Sequence, residues 1–235
     1  MRVELSGVTK GHDAEDLPAT SITFESGTVT LAVAETEQRP TVLGLIASGR
    51  MRPDSGTVTI DGRADARALR RSVALVDAPG VSDPDAGVPL VGVVAEELMF
   101  AGRRADPISA RRWLDAAGFR SLASTAIADI EPITRLRVLC ELAVLRPHVE
   151  ALVVTAPDRH GGQPLEWWTL FGEFADRGLA VLAVAGRASE WAITHADVIE
   201  RAESAEASLR NSLGAFDERS AAWAQSGGGV GVDNV

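Results

Sequence analysis

Apolar and polar residues alternate with a period of two at Val3 to Leu5 and again at Ser21 to Phe24, the pattern of strands with one buried face. Glu25-Ser26-Gly27 turns the chain into the run Thr28 to Val33, so the opening of the chain is expected to be antiparallel. A helix is expected from about Pro40 to Gly49, then an R-P-D-S-G turn at Arg52 to Gly56, a strand from Thr57 to Ile60 and a D-G turn at Asp61 and Gly62. Val73 to Val76 is continuously apolar, as a strand buried on both faces requires. Asp77 to Pro89, rich in Gly, Pro, Asp and Ser, reads as a loop between lobes. From Leu90 to Leu145 the period becomes helical: Val94, Leu98 and Ala101 share one stripe, a helix opens at Ile108 and ends at Gly118, and another covers Leu136 to Leu145. Glu150 to Val154 and Leu179 to Val184 are short apolar runs separated by a helix around Trp167 to Phe174, the spacing of a βαβ unit in a parallel sheet. Trp167 and Trp168 are adjacent and cannot share a helix face, so one belongs to the core and the other to an edge. The Gly-rich stretch Ser226 to Val235 is expected to be disordered.

Composition alters this outline mainly by exclusion. The 235 residues are 46% hydrophobic and 24% charged, which fits a folded chain with a sizeable core. A net charge of -10 argues against a nucleic-acid or anionic-membrane surface, and the pairs Arg70-Arg71, Arg103-Arg104 and Arg111-Arg112 read as solvated helix faces. Cys140 is alone and lies in an apolar helical run, so it is expected in the core. No apolar run has the length of a signal peptide or a membrane span, which leads to the expectation of a cytoplasmic protein that reaches a membrane only through a partner. His12, His148, His160 and His195 lack metal-site spacing and are expected at the surface, with no metal.

The string from Leu31 to Gly62, LAVAETEQRPTVLGLIASGRMRPDSGTVTIDG, has the order of strand, loop, helix, turn and strand that surrounds a G-x-x-x-x-G-K-[ST] phosphate loop. With the opening Val3-Glu4-Leu5-Ser6-Gly7-Val8-Thr9-Lys10, it resembles the ATP-binding domain of ABC transporters, over roughly residues 2 to 203. The resemblance implies an α/β, ABC-type P-loop NTPase fold: an antiparallel β-subdomain plus a RecA-like parallel-sheet core with an inserted helical subdomain. The corresponding divisions are 1–78 for the β-subdomain and the first part of the core, 79–140 for the helical subdomain and 141–203 for the second part of the core. A C-terminal helical extension, 204–225, and a disordered tail, 226–235, follow.

A phosphate loop works through glycines that let backbone N–H groups curl around phosphates, a lysine as point charge and a hydroxyl on magnesium. By the frame of Arg52 to Gly56, the family's glycines fall on Ala34, Glu37 and Arg39, its lysine on Pro40 and its hydroxyls on Thr41 and Val42; only Thr41 is chemically apt. Glu35 and Glu37 lie where a polyphosphate would sit, and like charges ~4 Å apart repel by about 1 kcal/mol even in bulk water. The family's adenine-stacking aromatic falls on His12, its magnesium-binding glutamine on Ala78 and its LSGGQ signature on Ile130-Glu131-Pro132-Ile133-Thr134. The aspartate and glutamate that end its second Walker strand fall on Thr155 and Ala156, its loop aspartate near Gly162 and its switch histidine on Gly186. Asp158 lies too far past the strand to replace the base and reads as a solvated turn residue. Glu96-Glu97 resembles the start of the family's helical lobe, so that acid pair reads as structural.

The resemblance therefore implies a pseudo-ATPase without nucleotide cofactor or catalytic residues, acting as a docking or regulatory partner of an integral membrane, permease-like protein, with a dimer left open. In the family the permease's coupling helix lies between the glutamine loop and the helical lobe, which here is Ala78 to Phe100, and the stripe Val94, Leu98 and Ala101 is the expected partner groove. One alternative is a free-standing scaffold. Another is an ABC ATPase that binds nucleotide through a non-standard loop, with Arg39 in place of the lysine. The inactive half of a heterodimeric ATPase is disfavoured, since such halves keep the loop and lose the base. The unfilled helix N-terminus at Pro40 is expected to be capped by Glu37 or Glu35, leaving no cavity for a phosphate.

Overall fold

In the computed structural model, residues 1–35 and 39–196 are described. Residues 1–193 form one unit; of the second, 194–235, only Thr194 to Ala196 are described, so the expected extension at 204–225 and tail at 226–235 lie outside the described residues. Strands β1 (Arg2–Lys10), β2 (Leu17–Glu25) and β4 (Ser55–Ile60) form an antiparallel sheet in the order β2-β1-β4. Strand β3 (Val29–Val33) does not extend it. It is instead an edge of a parallel sheet ordered β3-β7-β6-β5, with β5 at Val73–Val76, β6 at Ala151–Thr155 and β7 at Ala180–Ala185. The expected antiparallel opening is thus corrected at its third strand. The free side of β1 is filled by β4, in the register Val3↔Ile60 and Leu5↔Val58, and β3 runs alongside β7 from Val29↔Val181 to Val33↔Ala185.

The period-two pattern of β1 breaks after Leu5, and the next buried position is Val8. A bulge explains the skip: the register with β2 shifts between Leu5 and Val8, and Gly7 takes a φ of 55°, a left-handed conformation that glycine adopts without penalty. Strands β5, β6 and β7 are buried on both faces, which is why they read as unbroken apolar runs. Val73, Leu75, Ala151, Val153, Leu182 and Val184 share a core with Val3, Leu5 and Phe24 of the antiparallel sheet and with Leu43 and Ile46 of α1 (Arg39–Ala47). The opposite face, with Val76, Leu152, Val154, Val181 and Ala183, packs on α5 (Pro132–Ala143) and α6 (Pro164–Asp176). Trp167 is fully buried in this second core while Trp168 is only partly so, as their adjacency requires.

Between β4 and β5 the chain forms α2 (Ala66–Ser72), which hydrophobic periodicity does not announce. Its signal is Asp65, whose carboxylate accepts from the backbone N–H groups of Arg67 and Ala68, both at 2.9 Å. The expected helical lobe holds α3 (Leu90–Phe100) and α4 (Pro107–Ala116), and Arg187–Thr194 forms α7 after the parallel sheet. The stripe proposed as a partner groove faces inward: Val94 is 0%, Leu98 4% and Ala101 6% exposed. Val94 and Leu98 share the second core with Ala110 and Leu114 of α4, so the apolar stripe of α3 serves helix packing and the docking expectation for these three residues is withdrawn.

Helix α1 crosses β6 closely enough that a Cβ built on Gly44 would lie 2.5 Å from Cγ2 of Thr155 and 3.0 Å from Cδ1 of Leu75. Gly44 sits mid-helix, where alanine is ordinarily favoured by about 1 kcal/mol. Here Gly44→Ala is expected to destabilise the protein by about 1–3 kcal/mol through overpacking, and Thr155→Ser, which removes the opposing methyl, is expected to recover part of the loss. Urea unfolding of the two single variants and the double variant measures both; a stabilised Gly44→Ala would contradict the close approach.

Candidate functional site

The C-terminal ends of parallel strands meet at one edge of a sheet, where their following loops can build a ligand site. Here Ala34 and Glu35 follow β3, Gly186 and Arg187 follow β7, Ala156 follows β6, and Asp77 and Ala78 follow β5. Ala34, Pro40, Ala156 and Gly186, which the sequence places in three separate motifs, line one open cleft of about 600 Å3 together with Glu35, Pro79, Asp158, Arg159, Ala185, Arg187 and Ala188. Ala78 is fully buried beside it, and Thr155 is fully buried at the end of β6. Thr41 and Arg39 lie in the first turn of α1 and do not line the cleft; Glu37 is outside the described residues.

A cleft does remain beside Ala34 and Pro40, against the expectation that none would, while of the two expected capping carboxylates Glu37 lies outside the described residues and Glu35 goes elsewhere. Glu35 does accept a backbone N–H, but that of Arg187 at 3.1 Å, at the start of α7, and its other oxygen lies 3.5 Å from Nε of Arg187. The parallel pairing of β3 with β7 explains this, because it carries the residues that follow both strands to the same edge. Asp158 is likewise engaged, accepting from the Ser189 hydroxyl at 2.6 Å. Arg159 is drawn away to Asp77 at 2.8 Å and Asp83 at 3.5 Å. Among the described residues, each charged side chain that lines the cleft is thus committed to another protein group. Outside the lining, in the first turn of α1 and at the end of β6, Nε of Arg39 and the hydroxyl of Thr155 are buried without a partner, which is costly for either group.

At the start of α5, Glu131 stands where the resemblance places the signature serine. Its carboxylate accepts from the backbone N–H of Thr134 at 3.1 Å and from the Thr134 hydroxyl at 2.7 Å. Pro132 follows at the first helical turn, where a missing N–H costs nothing. The positive end of this helix therefore holds an anion supplied by the chain.

A buried ionic cluster beside the cleft was not legible as a site in the sequence. Asp77, 2% exposed, has a φ of 53° and receives Nη2 of Arg135 at 2.6 Å, Nε of Arg135 at 3.3 Å and Nη2 of Arg159 at 2.8 Å. Arg135, 3% exposed, also donates through Nη1 to the Ile127 carbonyl at 3.2 Å. His160 is exposed, as expected, and stands at the edge of this cluster: its Nε2 accepts from Nε of Arg159 at 2.8 Å and lies 3.6 Å from Asp77. Burial, and after it the positive charge of Arg135, lower the His160 pKa below its ordinary value despite Asp77. One signal was available. Arg135 shares the buried stripe of α5 with Leu139 and Leu142, and a charge on such a stripe needs a buried counter-charge.

No family model and no curated protein matches the sequence. The structure does find counterparts among solved proteins. A putative ABC transporter ATP-binding protein from Pyrococcus furiosus superposes with a TM-score of 0.58 at 14% identity, over 79% of this chain and 92% of that one. CbiO1 from Clostridium perfringens, part of the ABC transporter complex cbiONQ, gives 0.55 at 16% identity, over 78% and 77%. A nucleotide-free ATP-binding cassette from an ABC transporter gives 0.55 at 15%, over 80% and 82%. The chain thus has the fold of ABC ATP-binding domains.

Removing Asp77 while leaving Arg135 buried should be severe. Asp77→Ala is expected to cost about 3–5 kcal/mol, and Arg135→Met in the same chain to restore part of it, as measured by denaturant unfolding. A loss under about 1 kcal/mol would be that of a solvated surface pair. The lowered His160 pKa adds a pH dependence with a definite sign. The unfolded chain binds the proton more readily, so this contribution is complete above about pH 6.5 and is lost as pH falls toward the folded-state value. His160→Gln should flatten that part of the stability profile.

Proposed function

We propose that this chain is an ABC-type subunit that neither binds ATP usefully nor hydrolyses it, and that it serves as a docking or regulatory partner of an integral membrane protein. The observation that carries the proposal is the composition of the cleft. At the strand ends where the family gathers lysine, glutamine, aspartate, glutamate and histidine, this chain has Pro40, Ala78, Thr155, Ala156 and Gly186. No carboxylate ends β6 to hold magnesium, and no residue next to it can polarise a water for attack on a γ-phosphate. Glu35 adds a carboxylate to the cleft, already bound to Arg187.

Support for a docking role comes from the wall formed by the loop after β5 and helix α3. Val81, Asp83, Pro84, Val93, Glu96, Glu97 and Phe100 line a groove of about 450 Å3 with Arg146. Val81 and Phe100 are more than half exposed. Arg146 binds Glu97 at 2.6 Å and lies over the Phe100 ring at 5.4 Å from its centroid, which holds the groove's aromatic in place. The segment is the one the resemblance assigns to a coupling helix, but its outward large apolar residues are Val81, Met99 and Phe100, of which Val81 and Phe100 line the groove. Among the described residues no helix is long and apolar enough to cross a membrane, so membrane association under this proposal goes through the partner.

A second reading has its own observation. The buried Nε of Arg39, in the first turn of α1 although outside the cleft lining, lacks a partner, and an anion held there by a non-standard loop would supply one. Calorimetry separates the two. With Mg-ATP no saturable heat is expected up to millimolar concentration, a binding free energy weaker than about 4 kcal/mol, and Pro40→Lys alone should not change this. A micromolar dissociation constant would sink the proposal and support the Arg39 reading. For docking, Phe100→Asp and Val81→Asp are expected to leave circular dichroism unchanged and to abolish co-purification of a membrane protein; retention by both variants removes the groove from the account.

A further inference from the structure

A second cavity, of about 560 Å3, lies at the other end of α1, one helix length of roughly 13 Å from the cleft and sharing no lining residue with it. Its volume is that of a small-molecule site. The end of α1, the turn at Arg52 to Gly56, and α2 enclose it. Half-buried Met51 and Val58 supply its accessible apolar surface, Ile46 and Leu69 are fully buried, and Arg50, Arg52 and Arg70 are exposed around it. The sequence separates these arginines, and of the three only Arg70 was read, as part of a solvated pair; the packing of α2 against the residues that follow α1 gathers them.

The charge balance of this cavity is opposite to that of the chain, whose net charge is -10. Asp54 is the one carboxylate in its lining, and it is already bound by Nζ of Lys10 at 2.6 Å and the N–H of Gly11 at 3.0 Å. Arg50 and Arg70 each hold backbone carbonyls through one nitrogen: Nη1 of Arg50 donates to Ser48 and Val73, and Nη1 of Arg70 to Gly49. Among the described residues their remaining nitrogens, and the whole guanidinium of Arg52, have no hydrogen-bond partner. Among the described residues of the lining no free carboxylate stands between these arginines, and partial burial, followed by the nearness of Arg146 and Arg70, lowers the Arg50 pKa.

We propose that this cavity binds a small amphipathic oxyanion, a carboxylate or phosphate monoester on an apolar body, with the anionic head among Arg50, Arg52 and Arg70 and the body against Met51 and Val58. Guanidinium forks match both head groups bidentately, and the walls supply the burial that an inorganic ion could not use. The site is independent of the nucleotide cleft and does not rest on the proposed loss of ATPase activity.

The experiment titrates the 15N-labelled full chain with octyl phosphate, octanoate, inorganic phosphate and octanol, alongside calorimetry. Octyl phosphate or octanoate is expected to saturate, shifting the amides of Gly49, Gly56, Ala64 and Ala66, and the tighter of the two identifies the head group. Arg52→Gln, whose side chain has no partner to lose, should keep the fold and weaken binding by about tenfold, and added salt should weaken it further. Val58→Asp should weaken it as well. The proposal is overturned if neither amphiphile saturates, if the shifts lie elsewhere, or if Arg52→Gln and Arg70→Gln both bind as the parent does. Equal binding of octanol removes the anion requirement, and equal binding of inorganic phosphate removes the apolar body; either result rejects the assignment. Binding to phosphatidylglycerol vesicles without binding of either soluble amphiphile would reject it in favour of a membrane surface.

Discussion

The buried carboxylate of Asp77 is the constraint on which the candidate site depends. It ends β5, and its two guanidinium partners come from α5 and from the turn after β6, so one anion joins three segments distant in sequence. Taking these charges out of water is expensive, and the geometry offsets the cost only because nearly every lone pair and N–H involved finds a partner. The left-handed φ of Asp77 adds local strain that only such a surrounding can hold. In consequence the start of α5 and the loop leaving β5 are anchored to the parallel sheet. The open cleft on one side and the groove of Val81 and Phe100 on the other are built on that anchor.

Around this clasp the chain supplies its own anions to helix starts. Glu35 binds the first N–H of α7, Asp158 binds Ser189 in the same helix, and Glu131 binds Thr134 at the start of α5. Helix N-termini attract negative charge because their first N–H groups lack intrahelical acceptors. Where carboxylates of the chain already answer that need, an incoming phosphate gains less. This bears on the proposed function in physical terms: the side chains of Pro40, Thr155 and Ala156 carry no charge to attract a phosphate or a metal ion, while Glu35 and Glu131 supply anions of the chain's own near the strand ends and at the start of α5. Of the four buried side-chain atoms without a partner among the described residues, those of Arg39 and Thr155 lie along α1 or beneath it.

Helix α1 links the two ends of this layer. It buries Leu43 and Ile46 between the sheets, and Gly44 lets it lie against Thr155. Its first turn carries Pro40 into the cleft, and its last turn opens on the arginine-rimmed cavity. The same helix therefore separates an acidic and basic cleft whose charges are mutually satisfied from a basic cavity whose charges are not.

Period and run length in the sequence determined most of the elements. Unbroken apolar runs marked the doubly buried strands at Val73 to Val76, Ala151 to Val154 and Ala180 to Val184, since a strand covered on both faces has no polar side to display. Motif frames located the residues that now line the cleft, Ala34, Pro40, Ala156 and Gly186, because those frames rest on local strand and turn order. Local pattern could not say which strand pairs with which, so the place of β3 in the parallel sheet emerged only from long-range pairing with β7. Nor could it tell an apolar stripe that meets a partner from one that meets the next helix, and Val94, Leu98 and Ala101 proved to be core. Tertiary structure alone decided where charges go: Glu35 to Arg187, 152 residues away, Asp77 to Arg135 and Arg159, and three scattered arginines to one cavity. Burial has a local signature in residue type, whereas the partner of a charge depends on which distant segment folding brings beside it.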